Sequence, residues 1–193
     1  MHKVHDKIFK ANSGIQKVND NMQNIIYCCL TVLICILILY WVKTATDSIL
    51  KILLYPHAKL TEIYYNIRLS YINGTGYVSS GGNIVIGREC MGYKFVVMVF
   101  SMTSCMFVKY FERFKKVMWF LLSLSGSVAV GVLISCVRII GSFPFASLEK
   151  FPLIHSAIGV FLYFNTLIII YNVLNRKFNH KLNYKLIRSE KNE

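Results

Sequence analysis

Four long stretches of the chain carry no Asp, Glu, Lys or Arg, and they constrain its fold more than any other feature. They cover residues 25–42, 95–108, 117–137 and 151–175. A transmembrane helix needs roughly 20 apolar residues, with a range of about 17–25. Three stretches meet that length, and the second meets it if its helix begins near Cys90 and Met91. The pattern predicts an all-α integral membrane protein with four transmembrane helices.

The basic residues lie between and beyond these stretches. The chain is 55% hydrophobic and only 16% charged, yet its formal net charge is +13. On a soluble module with interleaved aromatic side chains, such a charge would indicate nucleic acid. Here the cations flank apolar helices, so we expect them to set the topology and to contact anionic lipid. Membrane lipid is an expected partner, and nucleic acid is not.

The distribution of Lys and Arg predicts the orientation of the helices, because cytoplasmic segments carry an excess of both residues. Cations are concentrated before residue 25, in the short link 109–116 and after residue 175. The chain would therefore consist of a basic cytoplasmic tail, 1–24, a membrane domain, 25–175, with an extracytoplasmic loop, 43–89, and a second basic cytoplasmic tail, 176–193. We expect a multi-pass protein of the cytoplasmic (inner) membrane with both termini in the cytoplasm.

The first apolar stretch has a competing interpretation as a secretory signal peptide. Such a peptide needs a small-residue cleavage site directly after the stretch. Only a weak candidate around Thr44 follows it, and 24 residues precede it. We therefore expect an uncleaved anchor.

The outer loop contains two segments with secondary-structure signals. Residues 48–68 have a helix-like apolar period, and Pro56 predicts a bend. We expect an interfacial helix there, although a plain connecting helix fits the same pattern. Residues 76–87 hold two β-prone stretches around Ser-Ser-Gly-Gly, which predicts a small β-hairpin whose second arm leads to Cys90.

The predicted topology brings three reactive side chains to one depth at the outer face. Cys90 begins the second span, Arg138 ends the third, and His155 lies at the start of the fourth. Taken singly, each has an ordinary explanation: a small apolar thiol, a cation that snorkels to headgroups, and a histidine that hydrogen-bonds at a helix start. Ionisable groups within spans are costly and mark function, so their convergence indicates a site.

These three types of side chain are sufficient for acyl transfer through a thioester. The Cys90 thiolate would be the nucleophile, Arg138 would stabilise the thiolate and the oxyanion, and His155 would act as general base and acid. Glu89 could orient one partner, or it could be a solvated loop charge. The outer loop holds no second cysteine before Cys90, so a free thiol is expected. No Cys-x-x-Cys or His-x-x-x-His pair is present, and neither a metal nor another cofactor is expected.

Three blocks of sequence carry a further signal: GRECMG at 87–92, SCVRIIG at 135–141 and HSAIGVFLYF at 155–164. In this order they resemble the exosortase/archaeosortase family, most closely the short K-type exosortases, over residues 74–164. The resemblance carries the family's catalytic roles to Cys90, Arg138 and His155. Met91 stands where a small hydroxyl residue commonly follows the cysteine, and Ser135 stands where an asparagine is often found.

The resemblance implies a membrane-embedded cysteine protease or transpeptidase that processes C-terminal sorting signals of exported proteins at the outer face of the membrane. Its substrate would be a protein that ends in a short motif, a transmembrane helix and a basic tail. Two alternatives stay open. One is a membrane cysteine protease that processes a signalling peptide. Proteases of that type face the cytoplasm and typically have a histidine a few residues before the cysteine. The other is a non-enzymatic assembly or binding subunit in which Cys90 is inert.

Overall fold

The computed structural model describes residues 2–79, 84–111, 113–146 and 148–190. Within these ranges the chain forms five helices: α1 His2–Thr44, α2 Asp47–Tyr65, α3 Tyr93–Phe107, α4 Arg113–Ser142 and α5 Phe151–Glu190. A small sheet lies between α2 and α3 in the chain and consists of β1 Leu69–Ile72, β2 Gly76–Ser79 and β3 Val85–Ile86. Short 3-10 turns are found at Arg88–Met91, Val108–Tyr110 and Phe143–Phe145.

Four helical segments of the described chain are long and apolar enough to cross a bilayer, namely Asn21–Thr44, Arg88–Tyr110, Phe114–Phe145 and Phe151–His180. This confirms the predicted all-α membrane protein. The second segment reaches the required length because the 3-10 turn that contains Cys90 runs directly into α3. The helix α4 continues past residue 137, so Arg138 lies about one turn before its end. The helices α1 and α5 also extend into the predicted basic tails.

Helix α3 is the centre of the bundle. Its candidate span is 56% buried, whereas that of α5 is 6% buried. Phe95, Phe100 and Phe107 on α3 are almost inaccessible. The indole N–H of Trp119 on α4 donates to the carbonyl of Thr103 on α3 at 3.1 Å. The apolar surface left on α5 is of the kind that faces lipid acyl chains.

The sheet is antiparallel with the order β1-β2-β3. Strands β2 and β3 form the predicted hairpin, whose turn at 80–83 lies outside the described residues. Strand β1 was not predicted, because its residues directly follow the apolar helical pattern assigned to 48–68. The helix α2 ends at Tyr65 instead, since Asn66 takes the left-handed conformation, with φ of 52°, and turns the chain towards β1.

Helix α2 buries one face and leaves several large apolar side chains exposed on the other. Leu50, Leu54 and Ala58 are buried, whereas Ile52 and Ile63 are 73% and 68% exposed. An apolar face left uncovered on a helix beside the bundle is typical of a helix that lies in the membrane interface, as the sequence predicts. Pro56 is accommodated within α2 and does not end it.

Side-chain hydrogen bonds to backbone carbonyls fasten α2 and the sheet to the end of the bundle. The hydroxyl of Tyr65 donates to the carbonyl of Ile140 on α4 at 2.7 Å. The guanidinium of Arg88 donates to the carbonyls of Lys43 at 2.7 Å and Ala45 at 3.1 Å. The two hydrogen bonds of Arg88 fix the segment that carries Cys90 to the end of α1. The apolar core beneath them consists of Val42, Ala45, Leu50, Leu54, Ala58, Tyr77, Ile86, Met91 and Ile139.

Candidate active site

The three predicted catalytic residues come together at one end of the bundle. Cys90 lies in the 3-10 turn before α3, Arg138 lies near the end of α4, and His155 lies in the first two turns of α5. Because α3 and α5 begin at the end of the bundle where α4 finishes, all three line one pocket of about 250 Å³. Its remaining lining consists of Glu89, Gly92, Tyr93, Lys94, Ser156 and Tyr163.

A larger groove of about 790 Å³ lies elsewhere along α4 and is almost wholly apolar. Its walls include Phe111, Met118, Trp119 and Leu122. Its described lining brings together no thiol, imidazole or carboxylate. The smaller pocket therefore holds the reactive groups, although it is not the largest concavity of the molecule.

Local backbone geometry fixes Cys90 at the edge of the pocket. The Cys90 N–H donates to the carbonyl of Gly87 at 2.9 Å. Gly92 takes a φ of +65°, which L side chains rarely adopt, and its carbonyl accepts the N–H of Phe95 as α3 begins. A Cβ atom at position 92 would also collide with Oγ of Ser135. The glycine two residues after the cysteine is thus required by its conformation and by the close approach of α4.

Arg138 is held in the pocket by contacts along its whole side chain. It is only 8% exposed. Its Nη2 donates to the carbonyl of Glu89 at 3.0 Å, and its Cζ lies 5.3 Å from the ring centroid of Tyr163. The aliphatic part passes over Gly159, where a Cβ atom would lie 2.8 Å from Cδ. The absence of a side chain on α5 at this point leaves room for the guanidinium.

The positive charge of Arg138 is not neutralised by a carboxylate. Among the described residues its guanidinium forms no ion pair, and its Nε atom is buried without a hydrogen-bond partner. Arg138 lines the same pocket as Cys90 and His155. A buried cation that lacks a counterion favours any negative charge that forms beside it. The site is therefore suited to stabilise an oxyanion.

His155 is oriented by a serine on the neighbouring helix. Its Nδ1 lies 2.8 Å from Oγ of Ser142, and that Oγ lies 3.1 Å from the carbonyl oxygen of Ile139, which can accept from it. A hydroxyl has a single hydrogen, so when Ser142 donates to Ile139, its Oγ accepts from Nδ1, and Nδ1 carries the imidazole hydrogen. The Nε2 atom of His155 is left as the free base in this tautomer.

Two further residues of the site, Ser142 and Tyr163, were given no role from the sequence. Tyr163 stacks on Phe95 of α3, with centroids 4.3 Å apart, and its hydroxyl lies 3.5 Å from Oγ of Ser135. A helical projection of the sequence would have identified Ser142 and Tyr163, because residues three, four or seven apart lie on the same face of a helix. The faces in question are Ser135, Arg138 and Ser142 on α4, and His155, Gly159 and Tyr163 on α5.

The carboxylate of Glu89 does not orient the reactive groups. It pairs with Lys94 at 2.9 Å, and the two side chains are 72% and 66% exposed. The backbone carbonyl of Glu89, rather than its side chain, contacts Arg138. This geometry favours the interpretation of Glu89 as a solvated charge, and exposed ion pairs of this kind contribute little to stability.

His57 of α2 is a second histidine near the site, and its side chain is buried. It is 1% exposed, and neither ring nitrogen makes a hydrogen bond of good geometry. Burial lowers the pKa of His57 below its ordinary value of 6.5 by more than the nearby backbone of Leu53 raises it, and the charge of Arg138 lowers that pKa further. The ring is therefore neutral. His57 is also not part of the pocket lining.

The remaining cysteines are separate from this chemistry. All six cysteines are free thiols, and Cys136 is buried although it lies two residues from Arg138. Within the described residues, no group of three or more His, Cys, Asp or Glu side chains is placed to hold a metal ion.

Comparison of the chain with protein-family models, with curated proteins and with solved structures finds no match in any of the three. The resemblance to exosortases therefore stays a prediction from the three sequence blocks. What can be said of the function depends on the geometry of the pocket.

Proposed function

We propose that the protein is a membrane-embedded cysteine peptidase or transpeptidase. The observation that carries this proposal is the lining of one pocket by a thiol, a guanidinium and an imidazole from three separate segments, Cys90, Arg138 and His155. Packing of four apolar helices does not require this combination. Burial of a cation without a counterion is costly, and such groups within spans are retained for function.

The reaction would be an acyl transfer. Nε2 of His155 takes the proton of the Cys90 thiol, and the thiolate attacks a peptide carbonyl carbon, so that a C–S bond forms and the carbonyl oxygen becomes negative. Arg138 stabilises that oxyanion. As the oxyanion collapses, the C–N bond breaks and His155 gives its proton to the leaving amine. Water or an amine then attacks the thioester, which releases an acid or forms a new amide and regenerates Cys90.

The proposed location follows from the charge distribution. Basic residues before residue 25, in the link 109–116 and after residue 175 would place these three segments in the cytoplasm by the positive-inside rule. The pocket then opens at the outer face of the cytoplasmic membrane. The resemblance to exosortases supports an exported substrate that ends in a short motif, a transmembrane helix and a basic tail. Such a helix would hold the motif at the depth of the pocket.

The reactivity of Cys90 towards iodoacetamide tests the chemistry. The purified protein is alkylated in detergent, and each cysteine is followed separately by mass spectrometry of its peptide. Cys90 is expected to react about tenfold faster in the wild-type protein than in the Arg138→Gln or His155→Gln variant. Lys150→Gln removes an exposed cation after α4 and is the matched control. Equal Cys90 rates in all four proteins would contradict the proposal.

A second experiment addresses the membrane side and the substrate. In intact cells a membrane-impermeant maleimide is expected to label Cys90 from outside. Labelling from the cytoplasm alone would favour the signalling-peptide protease instead. A candidate substrate with the motif, helix and basic tail is expected to be shortened by the wild-type protein and by Cys136→Ala, but not by Cys90→Ala. Processing by Cys90→Ala at the wild-type rate would contradict a catalytic thiol.

A further inference from the structure

A second, smaller cavity lies on the other side of Cys90 and His155. It has a volume of about 70 Å³ and includes these two residues in its lining. Its other walls are almost entirely apolar and come from residues 84–86, from the end of α4 and the turn after it, and from the first residue of α5. They are Ile84, Val85, Ile86, Ile139, Ser142, Phe143, Ala146 and Phe151. Cys90 and His155 thus separate a charged pocket from an apolar one.

The β3 wall of this cavity is an edge strand. Among the described residues the sheet has the order β1-β2-β3, so β3 has a neighbouring strand on one side only. The N–H of Ser79 donates to the carbonyl of Ile84, and two residues further along β3 Ile86 lies opposite Tyr77. In an antiparallel ladder, hydrogen-bonded pairs alternate with pairs that are not bonded. The N–H and C=O of Val85 therefore point away from β2.

An edge strand with unpaired backbone groups is a site where an extended peptide can add as a further strand. Here the free edge of β3 borders the small cavity and leads through the short segment after Ile86 to Cys90. A peptide paired with Val85 would consequently run past the thiol. Such pairing recognises backbone, so specificity must come from a side-chain pocket, and the adjoining cavity is placed to supply it.

The cavity defines the side chain that it can take. About 70 Å³ corresponds to roughly five water-sized spheres, which is the scale of one branched aliphatic side chain. Apart from Cys90 and His155, which the reaction uses, the cavity lining offers a charged side chain only the hydroxyl of Ser142, which already contacts His155 and Ile139. An indole would be too large.

We propose that the substrate binds as an extended strand along the free edge of β3, and that the residue supplying the scissile carbonyl places a Val, Leu or Ile side chain in this small cavity. This inference rests on the proposed cysteine peptidase or transpeptidase function. Because Cys90 lines both cavities, the carbonyl carbon lies at the sulfur when the side chain fills the apolar side. The carbonyl oxygen then lies on the side of Arg138.

Peptidyl acyloxymethyl ketones test the side-chain preference in the purified protein. In such a probe the Cys90 thiolate forms a C–S bond at the methylene carbon, the C–O bond breaks, and a carboxylate leaves. Probes that differ only in the residue next to the ketone carry Leu, Asp or Trp. The Leu probe is expected to alkylate Cys90 about tenfold faster than the Asp or Trp probe. Ala146→Leu fills the cavity and is expected to abolish this advantage.

The strand pairing is tested separately. N-methylation of the probe amide that donates to the Val85 carbonyl is expected to lower the rate about tenfold in the wild-type protein. Val85→Pro removes the outward N–H without touching the pairing of β3 with β2, and it is expected to slow every peptidyl probe. Val85→Thr keeps the N–H and is the matched control. The methylated probe needs no variant, so misfolding cannot account for its result.

Iodoacetamide distinguishes the proposed function from the strand and cavity proposal. It reports the reactivity of the Cys90 thiol, and its reaction requires neither pairing with β3 nor binding in the cavity. If Cys90 is activated towards iodoacetamide but the Leu, Asp, Trp and methylated probes react equally, the strand and cavity proposal is overturned and the proposed function stands. A faster Asp probe would overturn it as well. If Arg138→Gln and His155→Gln both leave the iodoacetamide rate unchanged, the proposed function fails, and this inference fails with it.

Discussion

The Nδ1 atom of His155 lies 2.8 Å from Oγ of Ser142, and that Oγ lies 3.1 Å from the carbonyl oxygen of Ile139. When the serine hydroxyl donates to Ile139, Nδ1 carries the imidazole hydrogen and Nε2 is the basic nitrogen of the ring. Ser142 thus completes, as a positioning residue, a chain of contacts that begins at the backbone of α4 and ends at a general base.

Removal of this hydroxyl should weaken the base without removing it. In Ser142→Ala, His155 can rotate and exchange tautomers, so alkylation of Cys90 by iodoacetamide should slow about tenfold. Ser142→Thr keeps the oxygen and should restore most of the rate, which a purely structural role would not predict. Ser125→Ala is the matched control, since the Ser125 hydroxyl bonds only within α4. Equal rates for Ser142→Ala and wild type would refute the positioning role.

The position of Arg138 should be sensitive to a single methyl group on α5. A Cβ atom at Gly159 would approach Cδ of Arg138 to 2.8 Å and Nη1 to 3.2 Å. Gly159→Ala should therefore displace the guanidinium and reduce Cys90 alkylation about tenfold. Gly141→Ala, on α4 near the same end, meets nothing within 4 Å and should leave the rate unchanged. Equal rates of Cys90 alkylation in the two variants would show that the close approach at Gly159 does not position Arg138.

The membrane architecture was predictable from the sequence because charge is so costly in a bilayer. Charge-free stretches located all four spans, and the position of Cys90, Arg138 and His155 at span ends placed them at one end of the bundle. The sequence could not predict strand β1. Its four residues have mixed polarity and directly follow a helical pattern, so their own alternation is too short to be distinguished from that pattern.

The supporting contacts of the site were harder to predict for a different reason. Arg138 contacts a backbone carbonyl at Glu89, and Arg88 contacts two at Lys43 and Ala45. Carbonyl acceptors are present at every residue, so no pattern of side chains reveals which one is used. Ser142 differs, since its spacing of four residues from Arg138 placed it on the same face of α4, and a helical projection would have found it.

The two hydrogen bonds of Arg88 should matter for stability, because they join the end of α1 to the turn that carries Cys90. Arg88→Met should cost about 2 kcal/mol, the scale of hydrogen bonds that involve a charged donor. For a chain of this size that corresponds to a fall of roughly 5 °C in the melting temperature in detergent. Lys150→Met removes an exposed cation and should change the melting temperature little. A similar fall in both variants would indicate a general charge effect.

The neutral, buried His57 should make the protein sensitive to acid. In the unfolded chain its pKa is near 6.5, and burial lowers the pKa in the folded state. At pH values between these two pKa values, the unfolded state binds more protons than the folded state. The free energy of unfolding is therefore unaffected by the titration of His57 above about pH 6.5, and it decreases as the pH falls towards the lower pKa of the folded state. His57→Leu should leave the melting temperature at neutral pH nearly unchanged, since neither ring nitrogen has a hydrogen bond of good geometry to lose. It should also reduce the fall in melting temperature on acidification. His180→Gln, at an exposed position of α5, should keep the wild-type fall. Identical falls in all three proteins would exclude His57 as the titrating group.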